Sequence, residues 1–310
     1  MDLTYVWDDN IVHLRSRGVI RNGNRLLVLR DIYRYWYQVG GRISHGESSL
    51  DAMKRELEEE LHLENCRIVR PLFLSEHTVF RRNRHNQEFV VYWEIDTSGT
   101  DLQSRGMHFE TIDDDRNIRH EWAWLTEEEI MDYGFYPNPL LPLMFNPPER
   151  FSLVSTHEER YTLEHDMCFN MEGRLLGISV EAVFEHEGRV LTLVDERTHS
   201  FHLPGGFLHF GESFEDAMKR CVWEKLHVKS DILKPLKVSE TFQSINGNSS
   251  HGIHVYHLME TNGDVLDSVV GNSFRWIPTE ELTETGTMPP LYGTEALDTD
   301  REFHLTVERY

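Results

Sequence analysis

The sequence predicts an α+β protein built of two consecutive sandwich units, and three observations carry that prediction. A 23-residue stretch, Gly41 to Leu63, recurs without a gap as Gly206 to Val228, offset by 165 residues. Apolar segments of strand character flank both copies in the same order. The length, 310 residues, is that of about two domains of ordinary size.

In the first unit, Asn24-Arg25-Leu26-Leu27-Val28-Leu29 follows a short turn and reads as a strand by its apolar content. Gly40-Gly41 then form a turn that lets backbone approach a phosphate and lend a carbonyl oxygen to a metal. A helix follows. Ser48 or Ser49 is its N-cap, and Asp51 in the first turn suits the helix dipole. Leu50, Met53, Leu57 and Leu61 make one apolar stripe, whereas Glu56, Glu59 and Glu60, at i, i+3 and i+4, share another face. Carboxylates so placed repel one another, and a hard oxygen-seeking cation such as Mg²⁺ or Mn²⁺ relieves the repulsion. A solvated acidic face without metal satisfies the same spacing.

Beyond the helix, Arg70-Pro71-Leu72-Phe73-Leu74-Ser75-Glu76 and its partner Lys234-Pro235-Leu236-Lys237-Val238-Ser239-Glu240 repeat a strand, and Trp124-Leu125-Thr126-Glu127-Glu128 matches Trp276-Ile277-Pro278-Thr279-Glu280. Between these lies a dense basic cluster, Arg81, Arg82, Arg84 and His85, in a loop or hairpin tip. The second unit has the neutral Ser244 to Ser249 there. The contrast points to phosphate contact by Arg81, Arg82 and Arg84, with a solvated loop tip as the other reading. Asn146-Pro147-Pro148-Glu149-Arg150 marks the boundary, so the expected division is a first domain at 1–148, a linker at 149–160 and a second domain at 161–310. Residues 296–310 have no assigned place.

Gly41, Glu47, Arg55, Glu56, Glu59 and Glu60, with Leu57 and Leu63 at the aliphatic places, resemble the Nudix box, whose pattern is G-x5-E-x7-R-E-U-x-E-E-x-G-U. The one departure is His62 where the family has glycine. Histidine tolerates the left-handed backbone of a helix end better than most residues, so the departure weakens a cap and leaves the metal residues intact. The resemblance covers roughly residues 12 to 145 and 162 to 295. It implies two tandem α/β/α sandwiches with mixed sheets, each with one box helix and a final helix.

The second box, 206–228, keeps Gly206, Glu212, Arg220, Val222, Glu224 and Val228, but Glu56 is replaced by Cys221 and Glu60 by Lys225. One carboxylate beside an ammonium is a poor site for Mg²⁺, so the second unit is expected to fold without catalysing. Cys221 reads as a small buried residue of the helix.

The net charge of -22 argues against long nucleic acid as a partner. Three scattered cysteines, Cys66, Cys168 and Cys221, argue against a disulfide framework. The first residues show neither a signal peptide nor a membrane span, which leads to a cytoplasmic expectation.

From the resemblance, the first box implies metal-dependent hydrolysis of a pyrophosphate bond in a nucleoside diphosphate-linked substrate. Glu56, Glu59 and Glu60 would be ligands of Mg²⁺ or Mn²⁺, and one of them a base for water. Arg55 would orient them, Glu47 and Gly46 would brace the loop, and Gly41 would offer backbone oxygen. Glu121, three residues before Trp124, is a candidate base from a later loop, and a surface glutamate is the plainer reading of it. Glu88 is a weaker candidate. The proline that ADP-ribose hydrolases of the family carry past the box is absent, as is the array of NADH-cleaving members. Nucleoside triphosphates, including oxidised ones, are the expected substrates. A homodimer and an internal pseudo-dimer of the two units both fit the family. The alternative is a nucleotide-binding sensor with little turnover, which would bind nucleotide without metal.

Overall fold

The computed structural model describes residues 2–30, 35–63, 65–113, 118–158, 161–195, 200–245, 248–261, 266, 273–282 and 302–309. Two compact units divide the chain, Met1–Arg160 and Tyr161–Tyr310.

The strands of the first unit are β1 (Thr4–Trp7), β2 (Asn10–Asn22), β3 (Arg25–Arg30), β4 (Trp36–Tyr37), β5 (Gly40–Arg42), β6 (Arg67–Arg81), β7 (Arg84–Asp96), β8 (His108–Asp113), β9 (Ile118–Leu125) and β10 (Ser152–His157). Its helices are α1 (Ser49–Leu61), α2 (Glu127–Met131) and α3 (Leu141–Phe145). Among the described residues the strands form one mixed sheet in the order β10-β6-β7-β2-β3-β9-β8, with β1 and β5 added to β2 and β4 to β3. Pairing of β2 with β7 is parallel from Asn10–His85 to Ile20–Ile95, and β6 and β7 form an antiparallel hairpin. Because β2 also holds β5 through Ser16–Gly41 and Arg17–Gly40, the glycine turn is fixed against the middle of the sheet. One core cluster packs Val19, Leu26, Val28, Phe73, Tyr92 and Ala123 beneath Ile130 of α2 and Leu141 and Met144 of α3.

The second unit repeats this plan with β11 (Leu163–Asp166), β12 (Cys168–Met171), β13 (Arg174–Val183), β14 (Glu185–His186), β15 (Arg189–Asp195), β16 (Ser200–His202), β17 (Gly205–Phe207), β18 (His209–Phe210), β19 (Asp231–Ile245), β20 (Asn248–Glu260), β21 (Phe274–Pro278) and β22 (His304–Arg309), and helices α4 (Phe214–Leu226) and α5 (Thr279–Leu282). Here β13 pairs with β20 in parallel and with β17 antiparallel, as β2 does with β7 and β5. The strand β15 pairs with β21 as β3 does with β9.

Two stretches differ from the sequence expectation. Residues 149–160, expected as a linker, contain β10, which runs parallel to Phe73–Thr78 of β6. Proline does end α3, but Ser152-Leu153-Val154-Ser155-Thr156-His157 then finds an open sheet edge. There His77 Nδ1 bonds Thr156 Oγ1 at 2.8 Å, and Thr78 Oγ1 bonds His157 Nδ1 at 2.7 Å. The unplaced end of the chain supplies the equivalent strand: β22 runs parallel to Lys237–Phe242 of β19. Both tails begin Phe-x-Leu and end Glu-Arg-Tyr, at Phe151 to Tyr161 and Phe303 to Tyr310, a repeat legible in the sequence.

Candidate active site

The helix α1 is closed at both ends by its own residues. Ser48 is the N-cap, its Oγ accepting from Asp51 N at 3.1 Å. At the other end His62 takes the left-handed conformation (φ 53°, ψ 44°), and the N–H groups of His62 and Leu63 reach Glu58 and Leu57 carbonyls at 3.0 and 3.1 Å. Histidine thus fills the place of the family's glycine with the cap intact. Ala52, Met53, Leu57 and Leu61 are buried, which turns the glutamate face toward the glycine turn.

Arg55 is the hub of that face. Its Nε and Nη2 donate to the two oxygens of Glu47 at 2.8 and 3.0 Å, and its Nη1 donates to Glu56 at 2.7 Å and Glu59 at 3.0 Å. Nη2 also reaches the Arg42 carbonyl at 3.0 Å. A planar five-donor fork is the only side chain that serves three carboxylates and a carbonyl at once. Burial works against its charge, yet Glu47 and Glu56 outweigh that and hold it protonated well above the ordinary range. Glu47 in turn accepts from Ser44 N at 2.9 Å across the turn that Gly46 closes with φ 82°.

Glu56 is 1% exposed, and its carboxylate rests against Gly41: a Cβ at Gly41 would lie 2.2 Å from Glu56 Oε1. Glu60, also buried, accepts from Gly40 N at 3.1 Å through Oε2. Burial, then the charge of Glu56, pushes the Glu60 carboxyl up to about 8 against that hydrogen bond. His120 of β9 places Nδ1 3.8 Å from Glu60 Oε1. The end of α1 is tied to the same strands, because Thr111 Oγ1 donates to the Glu60 carbonyl at 2.6 Å and accepts from Trp122 Nε1 at 2.8 Å.

A cavity of about 800 Å³ opens over this turn. Among the described residues its lining has eight arginines and two glutamates, Glu60 and Glu88, in a chain whose net charge is -22. Arg81, Arg82 and Arg84 of the β6–β7 hairpin, expected from sequence, are there. Sequence reading missed the others: Arg15 and Arg17 from β2, Arg30 from β3, Arg42 from β5 and Arg119 from β9. A signal was present, since His13, Arg15 and Arg17 alternate with the buried Val12, Leu14 and Ser16, and alternation puts all three on one strand face. Glu88 is paired with Arg15 at 3.3 Å. Burial raises its carboxyl, but Arg15 and Arg17 outweigh burial and hold it below the usual range. His13 is pushed down to about 4 by burial and by Arg15.

Glu121 does not join the site. It is exposed and outside the cavity lining, whereas its neighbours His120 and Trp122 are buried. On β9 the lining takes Ile118, Arg119 and His120 and stops before Glu121.

Whether a hard cation suits the turn depends on the donors. They are all oxygen: the Glu56, Glu59 and Glu60 carboxylates and the backbone of a glycine turn whose Cβ space Glu56 fills. Burial first, and then repulsion from Glu56, lifts the Glu60 carboxyl, and a cation would offset both by favouring the charged form. Glu56 and Glu59 both face Arg55, and among the described residues no three acidic, imidazole or thiol side chains converge on one point. The donors therefore fit as the buried pair Glu56 and Glu60 with backbone oxygen, Glu59 standing one turn along the helix.

In the second unit the frame survives with only one of the three helix carboxylates, Glu224. Arg220 grips both oxygens of Glu212 at 2.7 Å and reaches Glu224 at 3.2 Å, Ser213 caps α4, and His227 ends it left-handed. Yet Cys221 stands against Gly206, its thiol pushed up to about 11 by burial. The pairing Glu181–Gly205 matches Arg17–Gly40, and Lys225 replaces Glu60, so two charges are exchanged. The hairpin places of Arg81 and Arg84 are Ile245 and Asn248.

A family model for the NUDIX domain matches residues 12–143 and 174–294. Among solved structures, the chain is similar to the mutator MutT protein from Bacillus halodurans, at 16% identity and TM-score 0.27 over 36% of this chain and 74% of that one. It is similar to a MutT NUDIX hydrolase from Burkholderia pseudomallei, at 18% identity and TM-score 0.27 over 34% of this chain and 84% of that one. An ADP-ribose pyrophosphatase from Streptococcus suis 89-1591 matches at 14% identity and TM-score 0.27 over 43% of this chain and 98% of that one.

Proposed function

The chain belongs to the NUDIX family of hydrolases acting on acid anhydrides, and on that premise we propose that its first unit cleaves the pyrophosphate bond of a nucleoside diphosphate-linked substrate with Mg²⁺ or Mn²⁺. The observation that carries this reading is the carboxylate face of α1, held by Arg55 at Glu56 and Glu59 and reaching an arginine-lined cavity through Glu60 and the glycine turn.

Glu56 and Glu60, with the Gly41 carbonyl, would hold the ion, and Glu59 would add its carboxylate from one turn along the helix. When bound, it neutralises phosphate charge and lowers the pKa of water at the scissile phosphorus. Arg55 holds Glu56 and Glu59 in place and is itself anchored by Glu47, so the loop and helix move as one piece. Arg81, Arg82 and Arg84 receive phosphate oxygens, and Arg17 lies opposite the glycine turn. His120, in contact range of Glu60, is the positioning residue from β9. Nucleoside triphosphates, including oxidised ones, fall within the substrate range. The second unit contributes no hydrolytic chemistry, because Cys221 and Lys225 stand where the first has carboxylates.

All three cysteines are free thiols, and no helix among the described residues is long and apolar enough to cross a membrane. The free thiols support a reducing, cytoplasmic setting.

The test is phosphate or pyrophosphate release from nucleoside triphosphates, oxidised nucleotides, nucleotide sugars and dinucleoside polyphosphates with Mg²⁺ or Mn²⁺, for the native chain and for Glu60→Gln. Turnover lost in Glu60→Gln and in EDTA is expected. Tight nucleotide binding without metal and without turnover of any compound would replace the hydrolase by a sensor.

A further inference from the structure

We infer that the substrate carries a second phosphate-rich group, remote from the scissile anhydride, which binds at the β6–β7 hairpin end of the cavity and is recognised by charge, without stacking of a base. This inference rests on the hydrolase reading above and names the substrate class for that site.

The first ground is the shape of the cavity. Ile11, His13, Arg15 and Arg17 all line it, every second residue of β2. At about 3.3 Å per residue these span roughly 20 Å of strand. Arg17 lies opposite Gly40 at the carboxylate end. At the far end Asn10 and Ile11 pair with His85 and Asn86, beside the hairpin tip. A pyrophosphate at the glycine turn therefore leaves the hairpin end of the trough for another part of the ligand.

The second ground is the charge at that end. Arg81, Arg82 and Arg84 surround a two-residue turn in which Arg82 and Asn83 both have positive φ, 55° and 59°. That is the geometry of a type I′ hairpin, a rigid turn that sets the direction of the arginines beside it. Guanidinium forks match phosphate oxygens in pairs, and crowding them in one cavity stores repulsion that a polyanion relieves.

The third ground is what the aromatic rings do. The Tyr37 ring already carries the Arg17 guanidinium at 5.1 Å, and the Tyr136 ring carries Arg81 at 4.8 Å. Among the described residues the two tyrosines of the lining, Tyr37 and Tyr136, thus act as platforms for arginine, and a planar base would have to displace a cation from either one. The site favours phosphate oxygens over a nucleobase.

A matched pair of probes tests this on the full chain: guanosine 5′-triphosphate and guanosine 5′-triphosphate 3′-diphosphate, which differ only in a remote diphosphate. With Mg²⁺, the doubly phosphorylated probe is expected to have a KM at least about ten-fold lower, and inorganic tripolyphosphate is expected to compete where guanosine does not. The preference should fall to near unity in Arg82→Gln/Arg84→Gln, and persist in Arg67→Gln/Arg174→Gln, which removes two exposed arginines outside the cavity. Equal KM values in the native chain, or equal loss of preference in both double variants, would overturn the inference while leaving the hydrolase intact. If neither probe is hydrolysed, the hydrolase reading is left to the wider panel above, and calorimetric binding of the same pair with Mg²⁺ decides the inference: equal affinities reject it.

Discussion

Gly41 and Glu56 occupy one another's space: the Glu56 carboxylate lies where any side chain at position 41 would go, 2.2 Å from a built Cβ. Glu56 is 1% exposed and held by Arg55 at 2.7 Å, so it has no room to yield. Gly41→Ala is expected to destabilise the first unit by about 1–3 kcal/mol through overpacking. It should lower turnover by roughly 100-fold, because an ångström of misplacement at a reacting group costs on that order. A thermal melt and a rate on the same preparation check both; a variant with native melting and native rate would remove Glu56 from the site.

Arg55→Lys keeps the charge and loses the fork. A lysine reaches one of Glu47, Glu56 and Glu59 and leaves the others unheld. The expected outcome is a loss of about 10- to 100-fold in rate, the scale seen when outer partners of metal ligands are removed. Activity within two-fold of native would show that the hub is dispensable.

Adjacent residues of β9 should behave oppositely. His120→Asn is expected to slow turnover, since His120 lies 3.8 Å from Glu60, and Glu121→Gln is expected to leave it unchanged, since Glu121 is exposed away from the cavity. Steady-state rates on the two variants decide it. The reverse order would mean that β9 presents its other face to the substrate.

Glu181 sets a pH dependence of stability in the second unit. Burial pushes its carboxyl up to about 8 from the usual 4.5, against the pull of Ser179 and Lys225. Between those values the folded chain holds a proton that the unfolded chain has released, so stability falls as pH rises through the window. His254, which shares Ser179 with it at 2.7 Å, is held down near about 4 by burial, and its slope is opposite but ends near pH 6.5. From about pH 6.5 to 8 the native chain should therefore lose stability relative to Glu181→Gln, by at most about 1.4 kcal/mol per pH unit. Denaturant midpoints that run parallel in the two chains across that range would refute the shift.

The sequence by itself determined the parts of this protein whose interactions are short in chain distance. The cap at Ser48, the left-handed end at His62, the separation of leucine and glutamate faces and the reach of Arg55 to Glu47 all lie within one 23-residue stretch, where helical geometry fixes neighbours three, four and eight residues apart. The duplication was legible for the same reason, as was the loss of carboxylates at Cys221 and Lys225. Only the tertiary structure decided what surrounds the helix. Arg17 meets the glycine turn through β2 and β5, Arg119 and His120 arrive on β9, and Ser152–His157 become a strand because β6 offers them an edge. Strand partners and register depend on chain segments tens of residues apart, and a shift of one residue turns each side chain to the other face. On β9 the cavity takes Arg119 and His120 and stops short of Glu121, a limit that no local spacing in the sequence encodes.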